Sequence, residues 1–268
     1  MRDDADAGTV RQDRSDAVLR ITLDRPSRRN SLSHSMVDEL VEVLTKAATD
    51  DTLRAVCLAG AGGDFCSGAD WMATNSDGRR PRTGDLTRRI PHTANRLVEL
   101  VATMQLPVVC RLRGWAVGLG ANLALAADFT VAAEDATIWE PFIDRGFSPD
   151  SGATWLLPRL AGVSRAKRML LLGEKVAGSE AAQWGLIHDA VADDDLDSAT
   201  EDLLDRLSSG PTVAIGLAKQ AINYGLHATL TQSMAHELAS LELSCRTADF
   251  KEGLAAFRDR RTPNFHGR

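Results

Sequence analysis

Apolar positions in the first half of the chain alternate between short continuous runs and helical spacing. Residues 17–23 (AVLRITL) alternate in polarity, and residues 54–59 and 108–112 are almost wholly apolar, which predicts strands. A helical pattern extends over residues 88–104. Behind Ser33, a suitable N-cap, apolar side chains recur along one helical face: Met36, Val37, Leu40, Val41 and Leu44. Strands, glycine turns and helices in alternation predict an α/β core.

From residue 151 onward the pattern becomes almost entirely helical, with one predicted strand at residues 186–191. The predicted helices are 151–160, 164–172, 179–184, 194–208, 212–224, 229–246 and 250–258. The polar N-terminus lacks the apolar stretch of a signal peptide. We therefore divide the chain into a flexible N-terminal segment (1–16), an α/β core (17–200) and a helical C-terminal region (201–268).

Composition narrows the class of protein. The 268 residues carry a formal net charge of -6, so no overall positive field would attract nucleic acid or an anionic membrane. No apolar run is long enough to span a membrane. The 4 cysteines are far apart in sequence, which gives no support for a disulfide framework or a structural zinc site. We expect a cytoplasmic protein.

Several common catalytic motifs are missing. The glycine turn at residues 60–63 is not followed by Gly-Lys-Ser/Thr, which excludes a P-loop. The turn Gly118-Leu119-Gly120 lacks the third glycine of a dinucleotide site, since Leu123 stands there. Neither GxSxG nor HExxH occurs, so serine hydrolysis and metal catalysis have no sequence support. We expect neither a metal nor a redox cofactor.

Two turns rich in small residues remain, at residues 65–70 (FCSGAD) and 114–122 (GWAVGLGAN). Small residues allow the backbone to approach a ligand closely, and the N–H groups that begin a helix can receive negative charge. Two such donors that converge on one oxygen would form an oxyanion hole. The simpler interpretation is that these glycines only turn the chain.

The amino-acid sequences of these turns and of three further segments resemble those of a known protein family. The chain resembles the crotonase, or enoyl-CoA hydratase/isomerase, superfamily in five segments that follow the family order: ITLDRPSRRNSL, FCSGAD, GWAVGLGANLALAAD, FSPDSGATWLLPRLAG and AAFRDRRTPNF. The resemblance implies a crotonase-like spiral of ββα units with a helical C-terminal trimerisation region, assembled as a homotrimer or a dimer of trimers. It also implies an acyl-CoA thioester substrate. The segment PDSGATWLLPRLAG is most similar to phenylacetate-type enoyl-CoA isomerases.

The resemblance also assigns roles to individual residues. By position, the backbone N–H groups of Ala69 and Leu119 would hold the thioester oxygen. It further implies that two arginines lie near the CoA phosphates, Arg28 and Arg29. The edge of the adenine pocket would be formed by Ser67, Gly68 and Ala69. A solvated turn is the alternative explanation for the two arginines.

The acid positions depart from the family pattern. The two glutamates of a hydratase are replaced here by Asn122 and Phe142, and neither side chain can transfer a proton. Asn122 could still hydrogen-bond a water or a substrate group. Asp150 matches an aspartate that is found in dienoyl-CoA isomerases and in phenylacetate-type isomerases, so we predict an isomerase with Asp150 as its acid and base. Asp150 could equally cap the helix that follows it.

Two other functions stay open. Glu140 and Asp144 each lie two residues from Phe142, and residues i and i+2 of an extended segment share a face. Either carboxylate could therefore replace the lost glutamate of an enoyl-CoA hydratase, although both could simply be surface or ion-paired groups. The third possibility is a noncatalytic acyl-CoA-binding protein that has kept the fold and lost the acids.

Overall fold

The computed structural model describes residues 8–70 and 82–268, and its strands form two sheets. The strands are β1 (Thr9–Ser15), β2 (Val18–Asp24), β3 (Ala55–Gly60), β4 (Val108–Leu112), β5 (Trp115–Val117), β6 (Phe129–Ala133), β7 (Thr137–Trp139), β8 (Val176–Ala177) and β9 (Asp189–Val191). The larger sheet has the order β1-β2-β3-β4-β6-β9, in which only the β1–β2 pair is antiparallel. A smaller sheet has the order β5-β7-β8. The parallel core confirms the predicted α/β class.

Helices fill the connections and most of the C-terminal part. They are α1 (His34–Ala47), α2 (Asp85–Arg89), α3 (Ala94–Thr103), α4 (Leu119–Ala126), α5 (Ala153–Leu172), α6 (Gly178–Gln183), α7 (Leu196–Ser208), α8 (Thr212–Gly225), α9 (Leu230–Ser244) and α10 (Ala248–Asp259). Ser33 caps α1 as predicted, since its hydroxyl accepts a bond from the Met36 N–H at 3.3 Å. None of the described helices is long and apolar enough to cross a membrane.

Two helical predictions differ in detail. The pattern over residues 88–104 is divided into α2, a 3-10 turn at Ile90–His92 and α3, because Pro91 cannot donate a helical hydrogen bond. The helices predicted at 151–160 and 164–172 form α5, whose backbone leaves helical geometry at Gly162 (φ 81, ψ 159). A glycine adopts this conformation without steric cost, so the two predicted segments meet there.

The prediction of a flexible segment over residues 1–16 is wrong for residues 9–15. They form β1, which pairs with β2 along its whole length. Its side chains are exposed except that of Val10, so the polar sequence of this edge strand hides the pairing of its backbone. Residues 1–7 lie outside the described part of the chain.

A buried ion pair attaches the C-terminal helices to the core. Lys219 on α8 donates to a carboxylate oxygen of Asp128 at 2.7 Å and to the carbonyl oxygens of Val101 and Leu106 at 3.1 and 3.2 Å. Burial lowers the pKa of Lys219, and the Asp128 carboxylate opposes that shift. The Lys219 ammonium group thus satisfies a carbonyl group in the last turn of α3 and joins α8 to Asp128, which directly precedes β6.

The sheet brings the two small-residue turns together. The chain leaves β3 and enters residues 65–70, and it leaves β4 and enters residues 114–118, at the same edge of the parallel sheet. An isolated parallel bridge between Cys66 and Ala116 joins the two turns. Every residue of α4 is buried, as expected for a helix that is apolar on all sides.

Candidate active site

The first candidate donor of an oxyanion hole is the backbone N–H of Ala69. A parallel bridge joins Leu32 to Ala69: the Leu32 N–H donates to the Gly68 carbonyl at 2.8 Å, and the Asp70 N–H donates to the Leu32 carbonyl at 2.9 Å. In parallel pairing these bonds come from the two neighbours of the bridged residue. The N–H of Ala69 itself is therefore directed away from Leu32.

The second candidate donor is the backbone N–H of Leu119. Leu119 is the first residue of α4, where an N–H group has no acceptor within the helix. Gly118 precedes it with a φ of 53°, a left-handed value that lets the chain turn sharply into the helix. The N-terminal end of α4 adds a partial positive charge at this point.

Glycines bring the two donors into one cavity. A Cβ atom on Gly68 would lie 2.6 Å from the Val117 carbonyl oxygen and 3.6 Å from the Leu119 nitrogen. A Cβ atom on Gly120 would lie 2.3 Å from the Cys66 carbonyl oxygen. The two turns are therefore in direct backbone contact, and Gly68, Ala69 and Leu119 all line the same cavity.

A buried asparagine and an ion pair fix the turn beside Ala69. The side-chain oxygen of Asn30 accepts from the Arg25 N–H at 2.8 Å, and its amide group donates to the carbonyls of Ala61 and Asp64 at 2.9 and 2.7 Å. The Arg25 guanidinium lies 2.8 Å from a carboxylate oxygen of Asp70. These bonds hold residues 61–70 against the turn that follows β2.

Asp150 lines the same cavity. Its Oδ1 accepts a bond from the Ser151 hydroxyl at 2.8 Å. Burial raises the pKa of Asp150, and the bond from Ser151 opposes that shift. The N-cap of α5 is Gly152, without a side-chain cap, and the Asp150 carbonyl accepts from the Ala153 N–H at 3.1 Å. The carboxyl group is thus not used as a helix cap.

Asn122 and Glu140 lie fully buried near Asp150. The amide nitrogen of Asn122 donates to the Asp150 carbonyl at 3.4 Å, while its Oδ1 has no hydrogen-bond partner in the described residues. Neither carboxyl oxygen of Glu140 has such a partner either. Burial raises the pKa of Glu140 well above its usual range, and the neighbouring Asp150 raises it further. Both effects favour the neutral, protonated form of Glu140.

The structure does not bring Asp144 into this cluster. Its side chain is exposed and packs beside Gly173, where an added Cβ atom would meet Asp144 Oδ2 at 2.7 Å. Phe142, at the position of the second hydratase glutamate, does line the cavity and packs edge-on against Phe147 with ring centroids 5.5 Å apart. This wall is therefore apolar where a hydratase carries an acid.

Three of the five residues that the resemblance places near CoA lie at an outer cavity, which adjoins the first. Arg28, Ser67 and Ala69 line it. Ser67 is tied to the arginine turn, since its N–H donates to the Arg29 carbonyl at 2.9 Å and its hydroxyl to the Arg28 carbonyl at 3.1 Å. The Arg29 guanidinium instead lies 3.8 Å from a carboxylate oxygen of Asp64. Arg28 is thus better placed than Arg29 to contact a ligand in this cavity.

Sequence analysis did not identify three residues of the site. Asn30 fixes the turn beside the first donor, and Arg89 and Arg145 line the inner cavity. A signal for Asn30 exists, because asparagine tolerates a positive φ, here 55°, in a turn. Single arginines in polar surroundings carry no comparable signal, since only the fold shows which of them face a cavity.

Comparison with known proteins decides the family. The model of the family "Enoyl-CoA hydratase/isomerase" matches residues 13–268. The chain belongs to the enoyl-CoA hydratase/isomerase family. This assignment confirms the resemblance drawn from the five sequence segments and makes the protein an acyl-CoA enzyme of that family.

Individual relatives are similar over nearly their whole length. The chain is 39% identical to 1,2-epoxyphenylacetyl-CoA isomerase of Escherichia coli over 251 residues, which cover 94% of this chain and 95% of the relative. It is 38% identical to a probable enoyl-CoA hydratase of Rhodobacter capsulatus, with 97% and 98% covered. The crystal structure of an enoyl-CoA hydratase from Bacillus anthracis superposes with a TM-score of 0.90 at 32% identity, covering 97% of this chain and all of the other. The expected crotonase fold is thereby confirmed.

Proposed function

We propose that this family member is an enoyl-CoA isomerase in which Asp150 transfers the proton. The observation that carries the proposal is that Asp150 lines the same cavity as Ala69 and Leu119, the residues of the two candidate N–H donors. Asp150 takes a proton from one carbon of the acyl chain and returns it to another, and the double bond shifts between them. The substrate thus keeps its elemental composition.

The two backbone donors stabilise the intermediate. Removal of a proton next to a thioester places negative charge on the carbonyl oxygen, which becomes an enolate. A preorganised donor of this kind lowers the barrier by about 3 kcal/mol. Because the donors belong to the main chain, leucine at position 119 serves as well as glycine, provided that its side chain points away.

The raised pKa of Asp150 suits proton transfer in both directions. A general acid and base works best when its pKa is close to the pH at which the enzyme operates. Burial moves the pKa of Asp150 upward from the ordinary carboxyl range, toward neutrality. Asn122 holds the Asp150 backbone at 3.4 Å and so acts as a positioning residue in this proposal.

Hydration with Glu140 as the acid is the second candidate. It is favoured by one observation, the buried and unpartnered carboxyl group of Glu140 near Asp150. A protonated carboxyl group could give its proton to the α carbon, as one of the glutamates does in a hydratase. Phe142 argues against this route, because an apolar side chain borders the cavity where the other acid would stand. Asp144 offers no substitute, since its carboxylate lies beside Gly173.

A panel of CoA thioesters in deuterated water tests the proposal. The purified protein is incubated with 2-enoyl, 3-enoyl, 2,5-dienoyl and aryl-CoA thioesters, and the products are followed by mass spectrometry and absorbance. We expect a product with a shifted double bond and incorporated deuterium. Addition of water would instead support the hydratase. Binding without any product across the panel would support a noncatalytic acyl-CoA-binding protein.

The assembly that we propose is a homotrimer or a dimer of trimers formed by the C-terminal helices. Large apolar side chains on these helices are exposed in the single chain, among them Leu230 at 76% and Phe257 at 87%. Apolar patches of this kind mark protein–protein interfaces. Light scattering coupled to size-exclusion chromatography should give three or six times the mass of one chain, and a monomer would refute this part of the proposal.

The proposed reaction uses no metal or redox cofactor, since coenzyme A enters as part of the substrate and Asp150 moves the only proton involved. We place the enzyme in the cytoplasm, where acyl-CoA thioesters are available and its four cysteines stay reduced. Exhaustive dialysis against a chelator should leave the turnover rate unchanged. Loss of activity that returns on addition of a divalent metal would contradict this expectation.

A further inference from the structure

Two arginines line the cavity without a role in the proposed mechanism. Arg89, at the end of α2, lines the inner cavity, and Arg145 lines both the inner and the outer cavity. Leu119 borders only the inner cavity and Arg28 only the outer one. Under the proposed function the inner cavity is thus the acyl side and the outer cavity the CoA side. Arg89 and Arg145 therefore both border the space for the acyl group.

The charge of Arg145 is not neutralised within the described part of the chain. Arg145 closes a 3-10 turn in which its N–H donates to the Phe142 carbonyl at 3.1 Å and the Gly146 N–H donates to the Ile143 carbonyl at 3.0 Å. Its side chain makes no ion pair with a residue in 8–70 or 82–268. The turn thus fixes the backbone of Arg145 at the border of the two cavities.

Arg89 is only weakly paired. Its guanidinium lies 3.7 Å from a carboxylate oxygen of Asp85, which also pairs with Arg88 at 3.5 Å. All three side chains are accessible to solvent, and an exposed pair of this kind adds little stability. Asp85 shares its charge between two arginines, so it neutralises neither completely.

The acids of the inner cavity do not balance these cations. Asp70 is already paired with Arg25 at 2.8 Å. Burial raises the pKa of Asp150, which favours its neutral form. Much of the remaining wall is apolar: Leu32, Val37, Ile90, Phe142 and Phe147. A carboxylate on a ligand in this cavity would therefore meet two arginines at the border of an apolar wall.

We propose that the acyl group of the substrate carries a second carboxylate, which Arg145 and Arg89 bind. The planar guanidinium group matches a carboxylate in a bidentate geometry and keeps its charge at every physiological pH. The inference rests on the proposed function, because it requires the thioester carbonyl to lie at Ala69 and Leu119. The substrates are then CoA thioesters of dicarboxylic acids, in which the distal carboxylate selects the acyl chain.

Calorimetric titration with unreactive thioesters tests this inference. Hexanedioyl-CoA and octanedioyl-CoA are compared with hexanoyl-CoA and octanoyl-CoA, which have equal chain lengths and no second carboxylate. We expect at least one dicarboxylic thioester to bind about tenfold more tightly than its neutral counterpart. Arg145→Gln and Arg89→Gln should each remove most of this preference and leave the affinity for the neutral thioester unchanged.

Arg88→Gln is the matched control, since Arg88 neighbours Arg89 and pairs with the same Asp85 but does not line the cavity. It should keep the full preference. If the dicarboxylic and the neutral thioester bound with equal affinity at both chain lengths, the inference would be overturned and the proposed function would stand. A loss of affinity in Arg145→Gln for both thioesters and for free CoA would overturn it as well, because Arg145 would then bind the CoA phosphates. Failure to bind any thioester would refute the proposed function itself.

Discussion

The two sides of the cavity are built from different parts of the chain. The donor side is main chain: the N–H groups of Ala69 and Leu119, held in place by backbone contact at Gly68 and Gly120. The acid side consists of side chains: Asp150, just before α5, lines the cavity, and Asn122 on α4 and Phe142 belong to the same side. The donors depend on the fold, whereas the acid depends on a single residue.

This difference explains where the chain departs from the hydratase pattern. Leucine stands at position 119 without loss of the N–H, because any residue other than proline supplies that donor. On the other side, the resemblance expects the two glutamates of a hydratase at Asn122 and Phe142, and neither of these side chains transfers a proton. A family that shares the donor side can thus change its reaction by changing the acid side alone.

The largest expected effect comes from the acid side. Asp150→Asn keeps the volume of the side chain and removes its ability to transfer a proton, so kcat should fall by about 10²–10⁴. Binding of a saturated acyl-CoA should change little, because the backbone donors remain. Steady-state kinetics and calorimetric titration separate the two quantities.

Asp144→Asn is the control for Asp150→Asn, since it makes the same change outside the cavity. It should leave kcat unaltered. If both variants kept the wild-type kcat, Asp150 would have no part in the reaction.

The donor side should be broken by Gly68→Ala. The new Cβ atom would meet the Val117 carbonyl oxygen at 2.6 Å, and the φ of 90° is unfavourable for alanine. A displaced Ala69 N–H corresponds to the loss of one donor, which lowers kcat by about 10²–10³. Circular dichroism and thermal unfolding confirm that the variant is folded before its kinetics are compared.

Gly63→Ala provides the matched control, because a Cβ atom there would have no neighbour within 4 Å. It should behave as the wild type in both kinetics and unfolding. An active Gly68→Ala variant would show that the close backbone contact is unnecessary for catalysis.

Glu140 gives a smaller effect, on stability. Its raised pKa means that the folded state holds a proton that the unfolded state loses as pH rises above the ordinary carboxyl range. The wild type should therefore lose stability as pH rises above the ordinary carboxyl range, until the pH reaches the raised pKa of Glu140 in the folded state. Glu140→Gln removes this dependence, so its Tm relative to the wild type should increase with pH, by about 2–4 °C for each kcal/mol.

Thermal unfolding at several pH values measures this difference, and turnover provides a second measurement. Under the proposed function Glu140→Gln remains an active isomerase. A Tm difference that is independent of pH would show that Glu140 is ionised in the folded state.

The smallest effect sharpens the role of Asp150. Ser151→Ala removes the hydroxyl that donates to Asp150 Oδ1 at 2.8 Å and lowers the pKa of that carboxyl group. The pKa of Asp150 should rise, and the acidic limb of the kcat/KM profile should move to higher pH. An unchanged profile would mean that another group controls this limb.

Prediction from sequence succeeded where a residue's surroundings follow from local patterns. Strands β2, β3 and β4 are apolar runs, and Ser33 is a capping residue whose function depends only on the next turn of helix. Strand β1 was missed because a polar edge strand is held by backbone bonds, which leave no apolar signal. Strands β5, β7 and β8 of the smaller sheet were not predicted, because two or three residues are too few to show an alternating pattern.

The site was predictable to the extent that it is made of turns. The glycines around Ala69 and Leu119 mark in the sequence the two turns that line the cavity and carry the proposed donors. Long-range geometry decided the rest: Glu140 is buried near Asp150, whereas Asp144, four residues later, is exposed beside Gly173. Spacing alone treats Glu140 and Asp144 as equivalent, since each lies two residues from Phe142.

Hydrogen exchange at the α carbon of a saturated acyl-CoA tests the central claim most directly, because it needs only the donors and the base. The thioester is incubated in deuterated water with the wild type, Asp150→Asn and Glu140→Gln, and exchange is followed by NMR. We predict that the wild type and Glu140→Gln exchange the α protons and that Asp150→Asn does not. Exchange that persists in Asp150→Asn and is lost in Glu140→Gln would contradict the account and assign the proton transfer to Glu140.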